Sequence, residues 1–291
     1  MFKKLCIIGV GLIGGSIARA AREQHPDIHI IGFGRTEDSA NLALAKSLGV
    51  LDEYTLDIAC AVTNADCVII ATPVGAYHAV LKLLKPYWST QTCYTDAGST
   101  KGSVIEAYQS IFGFVPDNFI PAHPIAGAEQ SGVSAAKADL FQQKCVIITP
   151  LSNSAPNALL HIQQFWESLG ALVTLMSTEQ HDAILAATSH LPHILAFALV
   201  DLLGRKDEQE EIFKYAAGGF KDFTRIASSD PTMWLDICMA NKRHILPLIE
   251  QLKVELDKIQ DLLATGDNQQ LFETFQYAKN ARQRFLNQFE N

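Results

Sequence analysis

His123 sits between small residues and a proline in Ala122-His123-Pro124-Ile125-Ala126-Gly127. A histidine so placed is suited to moving a proton near neutral pH. Far upstream, Gly9-Val10-Gly11-Leu12-Ile13-Gly14 carries three glycines at the spacing that lets a backbone approach a pyrophosphate. A dinucleotide together with a positioned base points to hydride chemistry on an alcohol. Between the two lies Asp96-Ala97-Gly98-Ser99-Thr100-Lys101, at the expected carboxyl end of a strand. The Ser99 hydroxyl there can orient a substrate hydroxyl or the base, and serves equally well as a helix N-cap.

The glycine loop follows a strand and opens a helix, as dinucleotide binding requires. Gly9 permits the tight turn, Gly11 the close approach, and Gly14 the packing of the helix whose positive end meets the phosphates. Leu12 and Ile13 start that helix, and Thr72-Pro73 ends the third strand at the same sheet edge. Cofactor choice is read at the end of the second strand, where an acid would bond the ribose 2′-hydroxyl. The sequence has Gly34-Arg35-Thr36 instead. NADP is therefore expected over NAD, with Arg35 and Thr36 on a 2′-phosphate. The competing reading is an exposed arginine stacked on adenine with NAD accepted.

Ser189-His190-Leu191-Pro192-His193 places a proline within helical periodicity. Pro192 should free the carbonyl of Thr188 and kink the helix between two histidines. Histidines three apart share a face, but no glutamate or cysteine completes a ligand set, so no metal is expected. Gly218-Gly219-Phe220-Lys221-Asp222-Phe223-Thr224-Arg225 sets basic residues beside a flexible glycine pair. An arginine fork there suits a carboxylate.

The elements that must position these groups fall into two sets. Strand patterns at 4–9, 28–33, 66–72, 92–96, 119–121 and 146–149 alternate with helical stretches. That alternation predicts a parallel, doubly wound α/β sheet over 1–150, a Rossmann-type dinucleotide-binding domain. Residues 151–291 read as mostly helical, after one short strand at 171–175. A capping box, Ser177-Thr178-Glu179-Gln180, begins a helix to Leu203. Asp230-Pro231 opens another that Thr265-Gly266-Asp267 breaks, and the last runs towards Phe289. Helices this long and apolar need a partner, so this half is expected to bind substrate and build a homodimer.

Composition bounds the rest. The 291 residues allow two cores, and 48% hydrophobic with 19% charged residues is ordinary for a soluble protein. A net charge of −8 argues against a nucleic-acid partner. Apolar runs such as Ile194–Val200 are too short to cross a bilayer, so no membrane partner is expected. Six cysteines without a CxxC pair fit a reduced, cytoplasmic setting.

In its ordered combination of motifs the chain resembles the prephenate dehydrogenase family, whose members act on prephenate, arogenate or both. The resemblance rests on Gly9–Gly14, Asp96–Lys101, His123–Gly127, Ser189–His193 and Phe220–Ala227 with Trp234 after it. It implies oxidative decarboxylation of a cyclohexadienol to a phenol on the route to tyrosine, with NAD or NADP reduced. By the resemblance His123 matches the catalytic histidine and Ser99 its hydroxyl partner. His193 matches a substrate-side histidine and Arg225 the substrate-binding arginine. Trp234 matches an aromatic that can come from the other subunit. The chain departs from NAD-using members at Gly34, where they carry an acid. Two other readings compete. One is a β-hydroxyacid dehydrogenase, whose helical-domain lysine Asn241-Lys242 could mimic. The other is a nicotinamide-sensing protein without turnover.

Overall fold

The computed structural model describes residues 2–128, 130–206 and 211–287. The first strand, β1 (Lys4–Ile8), is after Lys4 an unbroken apolar run because both its faces are buried. Alternate residues enter different cores. Leu5 and Ile7 join one with α1 (Leu12–Gln24), and Cys6 and Ile8 join another on the opposite face.

Five more strands complete the sheet: β2 (His29–Phe33), β3 (Glu53–Thr55), β4 (Cys67–Ile70), β5 (Cys93–Asp96) and β6 (Phe119–Ile120). Their order is β3-β2-β1-β4-β5-β6 and every pair is parallel. The helices α2 (Ser39–Ser47), α3 (Ile58–Val62), α4 (Tyr77–Leu84) and α5 (Gly102–Phe112) connect them. Register aligns the exits of the central strands: Ile8 faces Phe33 and Ile70, and Ile70 faces Asp96. The segments beginning at Gly9, Gly34, Ala71 and Ala97 thus leave the same edge side by side, where open α/β sheets gather ligands. β3 is a strand that the sequence pattern does not reveal, being short and largely exposed.

The pattern at 146–149 predicts a further strand of the parallel sheet. It lies instead in a separate three-stranded sheet of β7 (Ala122–Pro124), β8 (Cys145–Ile148) and β9 (Leu172–Leu175). β8 runs antiparallel to β7, with His123 opposite Ile147, and parallel to β9. Pro121, between β6 and β7, has no N–H to extend the first ladder, while its carbonyl accepts from the Thr149 amide at 2.9 Å. His123 is therefore a strand residue.

After α6 (Pro156–Ser168) the chain becomes helical. The Ser177 capping box opens α7 (Thr178–Leu185), which runs through a π turn at Ala186–His190 into α8 (Leu191–Gly204). The widened turn absorbs the proline that was expected to kink a regular helix. Joined in this way, Thr178–Gly204 spans 27 residues, and the mean hydropathy of its most apolar 18-residue stretch is 1.7, enough to cross a membrane by length and composition alone. Only 22% of its most apolar stretch is buried. Short helices α9 (Glu211–Lys214) and α10 (Gly218–Thr224) lead to α11 (Pro231–Ala240), N-capped by the Asp230 carboxylate. The single helix expected from Pro231 to Thr265 is two, divided at Asn241: α11 and α12 (Lys242–Thr265).

By its internal contacts the chain forms two compact units, residues 1–242 and 243–291. The second holds most of α12, and α13 (Asn268–Asn287), and exposes Val254, Leu256, Leu263, Phe272, Phe275 and Tyr277. The expected end of the last helix at Phe289 lies outside the described residues.

Candidate active site

At the exit of β1, Gly9 has φ +92°, and a Cβ there would meet the Thr72 methyl at 2.8 Å and the Ala71 carbonyl at 2.9 Å. A Cβ on Gly14 would collide with the Gly9 carbonyl, so α1 can pack this closely only with glycine. Gly11 has open space where a side chain would be. It precedes an α1 whose first turn, starting at Leu12 and Ile13, has no side-chain cap and no acid. Those amides are left for an anion. Opposite, the Thr72 hydroxyl is buried without a hydrogen-bond partner, and Pro73 follows it at the surface. An orphaned hydroxyl beside an uncapped helix terminus fits a bound dinucleotide.

The loop after β2 holds more than Gly34-Arg35-Thr36. A Cβ on Gly34 would lie 2.9 Å from the Cβ of Asp38. The Asp38 carboxylate accepts from the Arg35 amide at 2.8 Å and from its Nε at 3.3 Å, with Glu37 3.9 Å away. The Asp38 hydrogen bond, then the charges of Asp38 and Glu37, raise the pKa of the exposed Arg35. Thr36 begins the short turn that carries both acids.

Asp96 ends β5 fully buried and organises the next segment. It accepts from the Tyr77 hydroxyl at 2.8 Å, the Gly98 amide at 2.9 Å and the Ala122 amide at 3.0 Å. Lys101, also fully buried, reaches back to Asp96 and donates to the Ala122 carbonyl at 2.6 Å. Burial lowers the Lys101 pKa against the pull of Asp96. Removing one partner of such a pair would strand a buried charge. Both backbone groups of Ala122, the residue before His123, are thus fixed from β5. Ser99 lies half-buried in this turn, and no hydrogen bond joins it to His123 among the described residues. Nor does it cap α5. Asp182 of α7 does so, accepting the Lys101 and Gly102 amides at 2.8 Å each.

His123 is half-buried on β7, its Nδ1 2.9 Å from Nε2 of His181. His181 is fully buried, and its Nδ1 lies 2.8 Å from Asp182 Oδ1. Burial, then His181, Lys101 and His190, holds the His123 pKa well below the ordinary histidine value. Burial alone would raise the Asp182 carboxyl. The hydrogen bonds from His181 and the two amides outweigh it, and its pKa falls below the usual value.

The π turn and the first turn of α8 contribute one more imidazole each, His190 and His193. Nδ1 of His190 accepts from the Asn241 amide at 3.0 Å, and the same amide donates to the Asp182 carbonyl at 2.8 Å. Burial lowers the His190 pKa to about 4. His193 donates from Nδ1 to the Ser189 carbonyl at 2.9 Å, and its ring stacks on Trp234 of α11. Arg225, in the turn after α10, is close enough to depress the His193 pKa further once burial has lowered it. His193, Arg225 and Trp234 therefore converge within one chain, where Trp234 matches an aromatic that can come from either subunit. Among the described residues the buried Trp234 Nε1–H has no acceptor. On the opposite side of α11, Asp236 packs against Gly75, just beyond Pro73, so α11 touches the turn that leaves β4.

Residues 17–175 match the family model of the prephenate dehydrogenase nucleotide-binding domain. Residues 177–277 match that of the prephenate dehydrogenase dimerization domain. The chain belongs to the prephenate dehydrogenase family. It is 38% identical to a cyclohexadienyl dehydrogenase of Zymomonas mobilis, over 97% of this chain and 96% of that one. It is 37% identical to a prephenate dehydrogenase of Bacillus subtilis, over 96% of this chain and 75% of the relative. Among solved structures, it resembles the prephenate dehydrogenase of Aquifex aeolicus in complex with hydroxyphenyl propionate and NAD+. That likeness has a TM-score of 0.90 and 36% identity, over 98% of this chain and 99% of that one. A 3-hydroxyisobutyrate dehydrogenase of Mycobacterium tuberculosis is 14% identical with a TM-score of 0.51, a likeness of fold alone.

Sequence reasoning missed His181, Asp182 and the working role of Asn241. The signal was a polar pair inside an otherwise apolar helical stripe, since His181, Asp182, Leu185 and Ala186 are all buried.

Proposed function

We propose that the chain oxidatively decarboxylates prephenate, arogenate or both, yielding 4-hydroxyphenylpyruvate or tyrosine, in tyrosine biosynthesis. The observation that carries this reading is His123 itself. Its backbone is tied through Ala122 to Asp96 and Lys101, at the strand exit beside the one bearing Thr72 and Pro73. A neutral imidazole there accepts the proton of the ring hydroxyl. Bound nicotinamide supplies the hydride acceptor. Arg225 and His193 anchor the carboxylates, Trp234 walls the ring, and Ser99 orients the hydroxyl. Gly9, Gly11, Gly14, Thr72 and Pro73 hold the dinucleotide. CO2 then leaves as its bonding pair passes into the ring, which becomes aromatic, and the former carbonyl oxygen takes the proton held on His123 to give the phenol.

For the cofactor, the absence of a carboxylate at Gly34 supports NADP, with Arg35 and Thr36 on its 2′-phosphate. Asp38 supports NAD as a competitor, because its carboxylate already holds Arg35 and can accept from a ribose hydroxyl. A 2′-phosphate held by Arg35 would lie close to the Asp38 carboxylate, whose charge repels it, so discrimination between the two is weak. The match of 177–277 to a dimerization domain and the exposed apolar residues of α12 and α13 support a homodimer. The scattered free cysteines support a cytoplasmic setting.

Incubation with prephenate and then arogenate, each with NAD and NADP, tests the reading by absorbance of the reduced nicotinamide. No reduction with any pair would overturn it. Sedimentation at micromolar protein tests the dimer, and a fully active monomer would contradict it.

A further inference from the structure

We infer that His181 and Asp182 are positioning residues that fix the tautomer of His123 and leave its Nε2 as the basic atom. The inference rests on the proposed role of His123 as base and deepens it.

The assignment follows by counting protons along three side chains. Asp182 is surrounded by donors, the Lys101 and Gly102 amides and Nδ1 of His181, so it is an ionised acceptor. His181 must then carry its proton on Nδ1. A neutral imidazole has only one N–H, so Nε2 of His181 is a bare acceptor. That atom lies 2.9 Å from Nδ1 of His123, which must supply the hydrogen. With its own proton committed to Nδ1, His123 presents an unprotonated Nε2. No hydrogen-bond partner is recorded for that atom among the described residues. Each link is buried enough to exclude competing water: His181 is 0% and Asp182 5% exposed.

The relay also answers an electrostatic problem. Lys101 from the β5–α5 turn and His190 from the π turn both face His123 and oppose a positive charge on it, as does His181 if protonated. Asp96, paired to Lys101, is the nearest compensating acid on β5. When the substrate hydroxyl passes its proton to Nε2, the hydride pair leaves for the nicotinamide and His123 becomes an imidazolium. Its Nδ1–H then donates to His181, which is polarised by Asp182. The carboxylate stabilises that charge through one intervening ring and itself takes no proton. The requirement that an orienting acid hold a catalytic imidazole in one tautomer is general.

Two measurements test this. In 15N-labelled protein at pH 7.5, the side-chain nitrogens of His123 are assigned by their loss in His123→Asn. The expected spectrum shows a protonated Nδ1 and an unprotonated Nε2 at His123, and a protonated Nδ1 at His181. A proton on Nε2 of His123 overturns the inference whether or not prephenate is turned over, so this arm stands apart from the function itself. The second arm uses steady-state kinetics. His181→Phe is expected to lower kcat about 100-fold, the low end of what a positioned base contributes, with substrate KM within about threefold. His181→Gln can accept from His123 with its amide oxygen and donate to Asp182 with its nitrogen, and should recover about 10-fold. Equal impairment in the two variants, or wild-type kcat in His181→Phe, overturns the inference. Should His181→Phe fail to fold, the wild-type spectrum and His181→Gln still decide it.

Discussion

His193 stacks on Trp234 with ring centroids 3.7 Å apart and planes 21° from parallel. The stack joins α8 to α11 and leaves the indole N–H buried without an acceptor among the described residues. A buried Trp N–H ordinarily finds a partner, and a substrate carboxylate or carbonyl is the natural one here. Trp234→Phe keeps a ring on His193 but deletes the donor. It should cost less than about 1.5 kcal/mol of stability, the range of an aromatic pair, while raising substrate KM. Unchanged KM by steady-state kinetics would leave Trp234 as packing alone.

His123→Asn should lower kcat by about 10²–10⁴-fold, the usual contribution of a positioned base, with cofactor affinity near wild type. The direction of its pKa shift sets the pH profile. To act as the proposed base His123 must be neutral, and its pKa lies below the ordinary value. The acid limb of kcat/KM is therefore expected below about pH 6.5, with a plateau at neutrality. A limb centred above that value would remove neutral His123 from the step.

Arg225 tests the anchor. Charge-assisted hydrogen bonds are worth about 1.5–3 kcal/mol. Arg225→Ala should raise substrate KM by roughly 10- to 100-fold on that basis. A fall in kcat alone would show that the arginine does not hold the ground-state substrate.

The proposed cofactor reading is tested at the Arg35–Asp38 pair. Asp38→Ala frees Arg35 and removes a carboxylate, so kcat/KM for NADP should rise relative to NAD. Arg35→Ala should lower NADP more than NAD. Introducing an acid as Gly34→Asp is a less direct test, because its Cβ would meet that of Asp38 at 2.9 Å. Equal loss of both cofactors in Arg35→Ala would instead mark it as a residue that stacks on adenine.

His190 links the site to stability. Its pKa is lowered by burial to about 4 when folded, against an ordinary value of about 6.5. The unfolded chain therefore binds more protons between those values, so stability rises with pH across the window. That contribution is fully present above about pH 6.5 and is lost as pH falls through about 4, amounting to on the order of 3 kcal/mol. Urea unfolding at pH 7 and pH 4.5 should show the loss. His190→Gln, which can still accept from Asn241, should reduce the difference. An unchanged difference would exclude His190 as a contributor.

The glycine loop and parallel sheet were readable because backbone constraint and buried strands both write directly into sequence. Gly14 is needed where the Gly9 carbonyl approaches, and β4, like β1 after Lys4, is an unbroken apolar run. β7 was not readable, since three residues ending in proline carry no alternation. It becomes a strand only through pairing with β8, some twenty residues away. The His181–Asp182 pair was hidden for a similar reason. Local sequence explains it as the start of a capped helix, and its partners, Lys101, Gly102 and His123, are brought to it by tertiary folding.

The π turn at Ala186–His190 has an evolutionary consequence. It holds one residue more than a regular turn needs, and Pro192, which has no N–H to donate, follows directly after it. A regular helix through this segment would set the proline ring against the carbonyl four residues before it. His190, which lies in the widened turn, would then lose its place opposite Asn241. Length in this segment is therefore as constrained as residue identity. Descendants of this chain can exchange side chains across α8 more readily than they can tolerate a single-codon deletion before it.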